Sequence, residues 1–470
     1  MANGSVMAFN GLEWKVHVAD GSSETKVVEP GVARRLYIQL QGQIWRCLMK
    51  IGRFFEKARD IAASEPTKAI HGVKVGMALS LVSLFYYMRP LYDGVGGNAM
   101  WAVMTVVVAF EYSVGATIAK SFNRISATFL AGSLGIGVHW IANQCGELEP
   151  VILQASVAIL GAAATFSRFI PYVKARFDYG AMIFILTFCF VSVSGYRVDK
   201  VLELARNRVS TIAIGTSICI LTSMLFYPVW AGNELHKLIY KNLEKLADSL
   251  NGCVTEYFKD NEERSGLKQE GYKSVLNSKA SEEAMANLAR WEPAHGRFKF
   301  RHPWKQYLKV GASMRSCAYC IETLNGFISS EVQAPELLKK HLKEVCMTLT
   351  SSSSNVLKEL AMSMKTMTKS TKTKFLVQEM NFAVQSFQNV LKDLSKQVLV
   401  LPEHEMDEGK LKTQIVPIMA IVPLATLASL LIEIAERIEG IVGVVDEVAA
   451  QAEFEVVKYK KNKEKKTFEV

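Results

Sequence analysis

The uneven distribution of apolar residues constrains the fold of this chain more than any other feature. Residues 68–230 are mostly apolar, whereas residues 231–470 are mostly polar and charged. A chain of 470 residues is long enough for two domains, but a soluble protein would interleave the two kinds of residue. The pattern therefore predicts a membrane half followed by a soluble half.

Six hydrophobic segments in the apolar half each approach the ~20 residues that cross a bilayer. They predict an all-α membrane protein with six transmembrane helices per protomer, followed by a helical cytoplasmic domain. The segments are Ala69–Met88, Asn98–Tyr112, Ile125–Ala142, Pro150–Phe169, Tyr179–Tyr196 and Val209–Trp230. The predicted domains are a disordered segment (1–32), a basic amphipathic cytoplasmic helix (33–63), a six-helix transmembrane domain (64–230) and a cytoplasmic helical domain (231–470).

The first two of these predicted domains differ in their patterns. Residues 1–32 are polar and mixed, so we expect them to be disordered. Residues 33–63 place apolar groups at helical intervals with Arg and Lys between them, which is typical of a helix on the inner membrane surface. Packing of this helix on the soluble domain is an equally good interpretation.

Basic residues flank the apolar segments unevenly and predict the orientation. Lys and Arg accumulate before the first segment, between the second and third, and between the fourth and fifth. Because cytoplasmic connections carry this excess, both termini are predicted to be cytoplasmic. The connection 196–208 is an exception, since it is predicted outside yet is rich in Lys and Arg.

The net charge of +10 has two sources in this interpretation, cytoplasmic basic connections and a lining that attracts anions. Zinc-finger spacing, an RNP-like strand and a basic helix with interleaved aromatics are all missing from the sequence. The expected partners are therefore a lipid bilayer and anions, and not nucleic acid.

Glu111 interrupts the apolar run that begins at Asn98 and is followed by Gly115. A carboxylate inside lipid is costly, so this one must face protein, water or a partner. Two interpretations stay open. Glu111 is either a functional carboxylate or the place where a helix emerges into an interfacial turn.

The polar half is predicted to be helical, with helices over 333–365, 374–398 and 411–457. One stretch, Ile415–Ile432, is long enough to span a bilayer. Pro417 and Pro423 interrupt it, however, and it continues into a segment with helical apolar periodicity. We predict a buried helix at the core or dimer interface of the soluble domain.

The sequence lacks the motifs of common enzymes. It contains no P-loop, no GxSxG, no HExxH and no GxGxxG. Cys317 and Cys320 form a CxxC without a second pair, which at helical spacing marks a helix face more often than a metal site. The chain is therefore not expected to be an enzyme or to use a cofactor, and no definite metal site is predicted.

Cations in or beside the apolar segments are the most informative residues. Charges at membrane depth face water or a partner, and rings of Arg or Lys select anions. The alternative for each is snorkelling to a lipid headgroup, which suits Lys120 and Arg124. Arg168 and Arg208 have stronger claims to a pore.

Carboxylates in the predicted outer connections form a second candidate group, Asp93, Asp199 and Glu203. Gathered together, such oxygens are hard ligands for a small, highly charged cation. The alternative is that they balance the neighbouring Arg and Lys residues.

Several motifs, in order, carry a resemblance to a known family. HGVKVGMALSLVSLFYYMRPLYDGVGGNAMWAVMTVVVAFEYSVGATIAKSFNR (71–124), RFIPYVKARFDYGAMIFILTF (168–188), FYPVWAGNELH (226–236) and WEPAHGRFKFRHPWKQYLKVGA (291–312) resemble segments of the plant aluminium-activated malate transporter family. The resemblance covers nearly the whole chain. It implies a homodimeric anion channel with six spans per protomer and a helical cytoplasmic domain.

The resemblance also implies roles for individual residues. Cations of the pore and anion-binding site would be Lys74, Arg168 and Arg208, with Lys120 and Arg124 as weaker candidates near the inner mouth. In aluminium-responsive members an outer acidic trio maps to Asp93, Asp199 and Glu203. The WEP motif falls on Trp291, Glu292 and Pro293, where it would support gating or assembly.

Residues and resemblance together predict passive conduction of malate, and of chloride, nitrate or other small anions, gated by voltage, malate or extracellular aluminium. The alternative function is a secondary exporter of organic or aromatic acids, which predicts slow, coupled, saturable flux. A membrane anchor or sensor without transport would leave Arg168 and Arg208 unexplained. The expected location is the plasma membrane, with the vacuolar membrane as the alternative.

Overall fold

The computed structural model describes residues 14–17, 23–26, 32–88, 99–195, 201–259, 271–328, 336–399 and 418–456. The chain divides into two compact units, residues 1–73 and residues 74–470. Each unit is described by itself below.

The first unit contains a short strand pair and a long helix. Strand β1 (Trp14–His17) pairs antiparallel with β2 (Ser23–Lys26), with Trp14 opposite Lys26. Both strands lie within 1–32, the segment predicted to be disordered. Helix α1 (Val32–Ser64) occupies the predicted basic amphipathic segment, and its Phe54 and Phe55 side chains are exposed.

Six apolar helices follow in the places of the six predicted segments. Four of the described helices are long and apolar enough to cross a membrane, and the other two apolar stretches, Met100–Ala109 and Val209–Leu225, are shorter. The apolar part is therefore an all-α bundle with four candidate spans. The helices are α2 (Pro66–Tyr87), α3 (Ala99–Ala109), α4 (Val114–Gln144), α5 (Glu149–Ser167), α6 (Pro171–Gly195) and α7 (Val201–Leu225).

Several predicted connections are wrong, because the helices extend beyond their apolar stretches. Lys120 and Arg124, predicted between the second and third segments, lie inside α4. That helix begins early because the Ser113 hydroxyl accepts a hydrogen bond from the backbone N–H of Ala116 at 3.2 Å. Residues 171–178 likewise belong to α6, and residues 201–208 belong to α7.

The chain leaves regular helix between α3 and α4, around Glu111. This agrees with the interpretation in which a helix ends at that carboxylate. Deeper in the bundle, small residues allow close packing. A Cβ at Gly135 would lie 2.8 Å from Val191 Cγ1, and one at Gly215 would lie 2.8 Å from Thr105 Cβ.

The polar part is helical and contains the larger hydrophobic core. Helix α8 packs against α11 and α12, and α14 also packs against both of those helices. Strands β3 (Thr368–Lys369) and β4 (Glu455–Val456) pair in parallel. The helices are α8 (Ala231–Tyr257), α9 (Gly271–Leu276), α10 (Lys279–Ala289), α11 (Trp304–Ile328), α12 (Glu336–Thr366), α13 (Lys372–Leu399) and α14 (Ile418–Gln451).

The described part of the stretch Ile415–Ile432 forms the first half of α14. Leu424, Leu427 and Leu431 on one face of it are at most 3% exposed, within the core of the polar half. This buried face agrees with the predicted core helix where side chains are described, at 422–432, and Pro423 lies inside the helix.

Candidate functional site

Lys74 of α2 is a buried cation among apolar helices. Its side chain is 3% exposed, and its Nζ donates a hydrogen bond to the backbone carbonyl of Tyr227 at 2.7 Å. No carboxylate pairs with it in the part of the chain that the structure describes. A carbonyl dipole offsets part of the cost of burial but leaves the unit charge uncompensated.

Arg124 of α4 is the second buried cation. It is 5% exposed, and its Nη1 donates to the Tyr179 hydroxyl at 3.1 Å. Its Nε has no hydrogen-bond partner among the described residues. Snorkelling, the interpretation that suited Arg124 from sequence, therefore does not describe this side chain. A buried charged donor without a partner is costly unless an acceptor reaches it.

Two other candidate cations are paired with carboxylates. Lys120 forms an ion pair with Glu111, and its Nζ lies 5.4 Å from the centre of the Tyr179 ring. Arg168 donates from Nε and Nη2 to the two oxygens of Asp178, at 2.7 and 3.2 Å. Each carboxylate cancels most of the charge beside it, so these sites present less net positive charge than Lys74 or Arg124.

Asp178 and Tyr179 are functional candidates that sequence reasoning missed. They open the apolar part of α6, where Asp178 pairs with Arg168 and Tyr179 contacts Arg124. The available signal was a carboxylate ten positions after Arg168 at the start of an apolar run. Only the fold reveals that these groups meet.

The structure describes less of the remaining candidates in and beside the apolar helices. Arg208 and Glu203 belong to α7, but their side chains lie outside the described residues. Asp93 and Asp199 also lie outside the described part of the chain. The outer acidic trio and the pore role of Arg208 stay predictions.

The WEP residues lie in the connection between α10 and α11, where Glu292 is buried. Its Oε1 accepts a hydrogen bond from the backbone N–H of Ala231 at 2.6 Å, and its Oε2 accepts one from Gly232 at 3.0 Å. The N–H of Gly115 also interacts with this carboxylate. Both hydrogen bonds come from the first turn of α8, where a negative charge is favourable. Gly115 in the first turn of α4 lies against the same carboxylate, since a Cβ there would be 2.9 Å from Oε1.

Two opposing effects act on Glu292. Burial raises its pKa above the ordinary value, while the backbone N–H groups of Gly232, Ala231 and Gly115 favour the charged form. His295 Nε2 lies 3.9 Å from its Oε2, beyond hydrogen-bond distance. The backbone N–H groups therefore offset part of the cost that burial imposes on the charged carboxylate.

Close packing surrounds this carboxylate and explains the residues beside it. A Cβ on Gly232 would lie 2.5 Å from Trp304 Cη2, and a Cβ on Gly115 would overlap the carbonyl oxygen of Leu288. Trp291 contacts Phe122 of α4 with ring centres 5.2 Å apart. The WEP turn thus contacts both an apolar helix and a polar helix.

Within the described residues, no group of three or more His, Cys, Asp and Glu is arranged to hold a metal ion. Cys317 and Cys320 lie on α11, and burial raises the pKa of Cys317 to about 12. That thiol stays protonated at neutral pH, which matches the interpretation of the CxxC as part of a helix face.

Comparisons with known proteins bear on the transport hypothesis. The family model described as aluminium activated malate transporter matches residues 59–417. The chain is 53% identical over 445 residues to aluminum-activated malate transporter 10 of Arabidopsis thaliana, covering 88% of this chain and 90% of that relative. It is 49% identical over 327 residues to transporter 2 of the same plant, covering 68% and 65%, respectively. It is 44% identical over 329 residues to transporter 1 of Triticum aestivum, covering 67% and 72%.

Proposed function

Because this chain belongs to the aluminium-activated malate transporter family, we propose that it is a channel that passes malate passively across a plant membrane. The observation that carries the proposal is the burial of Lys74 and Arg124 among apolar helices without a carboxylate partner. Chloride and nitrate are further permeant anions in this proposal. The chain transports and does not catalyse.

Charge explains why these two cations suit anion conduction. Two unit charges 4 Å apart interact by about 4 kcal/mol at an effective dielectric constant near 20. An uncompensated Lys or Arg beside the path therefore offsets part of the desolvation cost of malate and repels cations. Arg168 and Lys120 contribute less because Asp178 and Glu111 already neutralise them.

Assembly and gating complete the proposal. A homodimer would double each lining cation by symmetry, which suits a path with few cations per protomer. Glu292 would couple the helical cytoplasmic domain to α4, so that a gating signal in one reaches the other. Asp93, Asp199 and Glu203 would confer an aluminium response from the outer face. The proposed location is the plasma membrane, with both termini cytoplasmic.

The test is whole-cell current with malate inside, in cells expressing wild type, Arg124→Gln or Arg168→Gln. The control is Lys174→Gln, which removes an exposed cation from α6. We expect Arg124→Gln to move the reversal potential away from the anion equilibrium potential. Arg168→Gln should have a smaller effect, and Lys174→Gln should have none.

Surface expression of every variant is measured in parallel, so that loss of protein is not read as loss of conduction. Unchanged selectivity in Arg124→Gln at normal expression would contradict the assigned lining. If wild type carries neither malate nor chloride current, but coupled saturable flux is found, the secondary-exporter alternative replaces the channel.

A further inference from the structure

A basic cavity lies beside the WEP turn, between the end of α10 and the start of α11. Its volume is about 360 Å³, within the range of small-molecule sites. Four cations line it, Arg290, Lys299, Arg301 and Lys305, together with the ring of Trp304. This site is separate from the buried cations of the apolar helices.

Most of this positive charge is uncompensated. Lys299 pairs with Glu453, but within the described residues no carboxylate pairs with Arg290, Arg301 or Lys305. The carboxylate that lines the cavity, Glu292, already accepts backbone N–H groups on both oxygens. Three cations therefore face the cavity with free donors, and two of them are guanidinium groups that match carboxylate or phosphate oxygens in pairs.

The backbone at Arg301 supports a functional interpretation. Its φ is 63°, in the left-handed region that non-glycine residues rarely adopt. Such conformations persist where the surrounding structure enforces them, and they concentrate at functional sites. Here the conformation belongs to a cation on the cavity wall.

We propose that this cavity binds a small organic anion with two or more negative charges on carboxylate or phosphate groups. Arg290, Arg301 and Lys305 hold the anionic oxygens. Malate itself has this chemistry, and so does a sugar phosphate. The two sources are separated by experiment below.

The position of the cavity gives binding a consequence for conduction, and this consequence rests on the proposed function. The same turn carries Arg290 into the cavity wall and Glu292 onto the N-terminus of α8. An anion that binds one position of this turn better than another shifts the open–closed equilibrium by that difference in affinity. The cavity is thus a regulatory site as well as a binding site.

The test is isothermal titration of the purified full chain in detergent with malate, succinate and glucose 6-phosphate. The variant is the double substitution Arg301→Gln with Lys305→Gln, at two exposed positions. The matched control is Lys309→Gln, one turn further along α11, where the exposed lysine pairs with Glu447 at 3.6 Å. Thermal unfolding of each variant verifies that it is folded.

We expect the double variant to weaken binding by at least about tenfold, because charged hydrogen bonds are lost, while the control stays near wild type. Succinate should bind much as malate does, because both present two carboxylates to these cations. The double variant is also made in the Arg124→Gln protein. It should weaken binding there as it does in wild type, because the cavity is separate from Arg124. Stronger binding of malate identifies a carboxylate ligand, and stronger binding of glucose 6-phosphate identifies a phosphate ligand.

The inference is overturned if no probe binds wild type, or if the double variant binds all probes as wild type does. Because titration needs no current, failure of conduction with binding intact would reject the channel and keep the site. If no probe binds in the titration while the malate current is normal, the binding site is rejected and the channel proposal stands.

Discussion

Replacing Glu292 by Gln tests the claim that this carboxylate holds the N-terminus of α8. Both of its oxygens accept hydrogen bonds, from Ala231 at 2.6 Å and from Gly232 at 3.0 Å. Glutamine keeps the shape but turns one acceptor into an NH₂ donor. One buried backbone N–H then faces another donor, and an unsatisfied buried donor costs about 1–3 kcal/mol.

A second effect works against this loss. Burial raises the pKa of Glu292, which means that the charged carboxylate itself is costly in this place. Glutamine removes that cost, but it also removes the favourable interaction of a negative charge with a helix N-terminus, which is worth about 0.3–1 kcal/mol. The donor loss dominates, and we expect a net destabilisation of about 1–2 kcal/mol.

The assay is the apparent melting temperature of the full chain in detergent, followed by tryptophan fluorescence. The expected fall for Glu292→Gln is roughly 2–8 °C. The control is Glu283→Gln, an exposed position on α10, which should change the melting temperature by less than about 1 °C. If both variants melt like wild type, the carboxylate does not hold the N-terminus of α8 and the assigned role is wrong.

Three further predictions address packing, pH and orientation. Gly232→Ala should lower surface expression and the melting temperature because its Cβ would meet a tryptophan ring at 2.5 Å, whereas Gly440→Ala, with nothing within 4 Å, should be neutral or slightly stabilising. Burial lowers the pKa of His236 from 6.5 to about 4, so the unfolded chain binds more protons between these values and stability falls as pH drops from about 6.5 to about 4. His236→Gln should flatten that slope of melting temperature against pH, and an equal slope would contradict it. A membrane-impermeant maleimide applied outside should label Cys145 and spare Cys47, both of which are exposed, and the reverse pattern would overturn the predicted orientation.

The helical architecture was readable from sequence because hydrophobic length and periodicity are local properties. The six apolar segments correspond to six helices, and the helix containing Pro423 lies in the polar core. Helix ends were less readable. The sequence placed Lys120 and Arg124 in a connection because charges usually close a span, but α4 runs for 31 residues, longer than the ~20 that a bilayer needs.

Pairing between distant residues explains why the ranking of the candidate cations was not predictable. From sequence, Arg168 has a stronger claim to a pore than Arg124. In the structure Arg168 meets Asp178 across the α5–α6 connection, while Arg124 is buried against a tyrosine hydroxyl. Neither contact leaves a periodic or compositional signal, since each depends on how two helices pack.

The partner of each cation, rather than its position in the chain, separates structural charges from candidate anion sites. Arg315 is paired with the fully buried Glu282 at 2.6 Å, and Arg168 is paired with Asp178, so both charges are largely cancelled where they lie. Lys74 and Arg124 have a carbonyl and a hydroxyl as partners, which keep the side chain in place without cancelling its charge. In the proposed channel, an anion that approaches such a cation would displace no carboxylate. The same criterion, applied to the cavity beside the WEP turn, selects a second group of cations that the resemblance alone did not indicate.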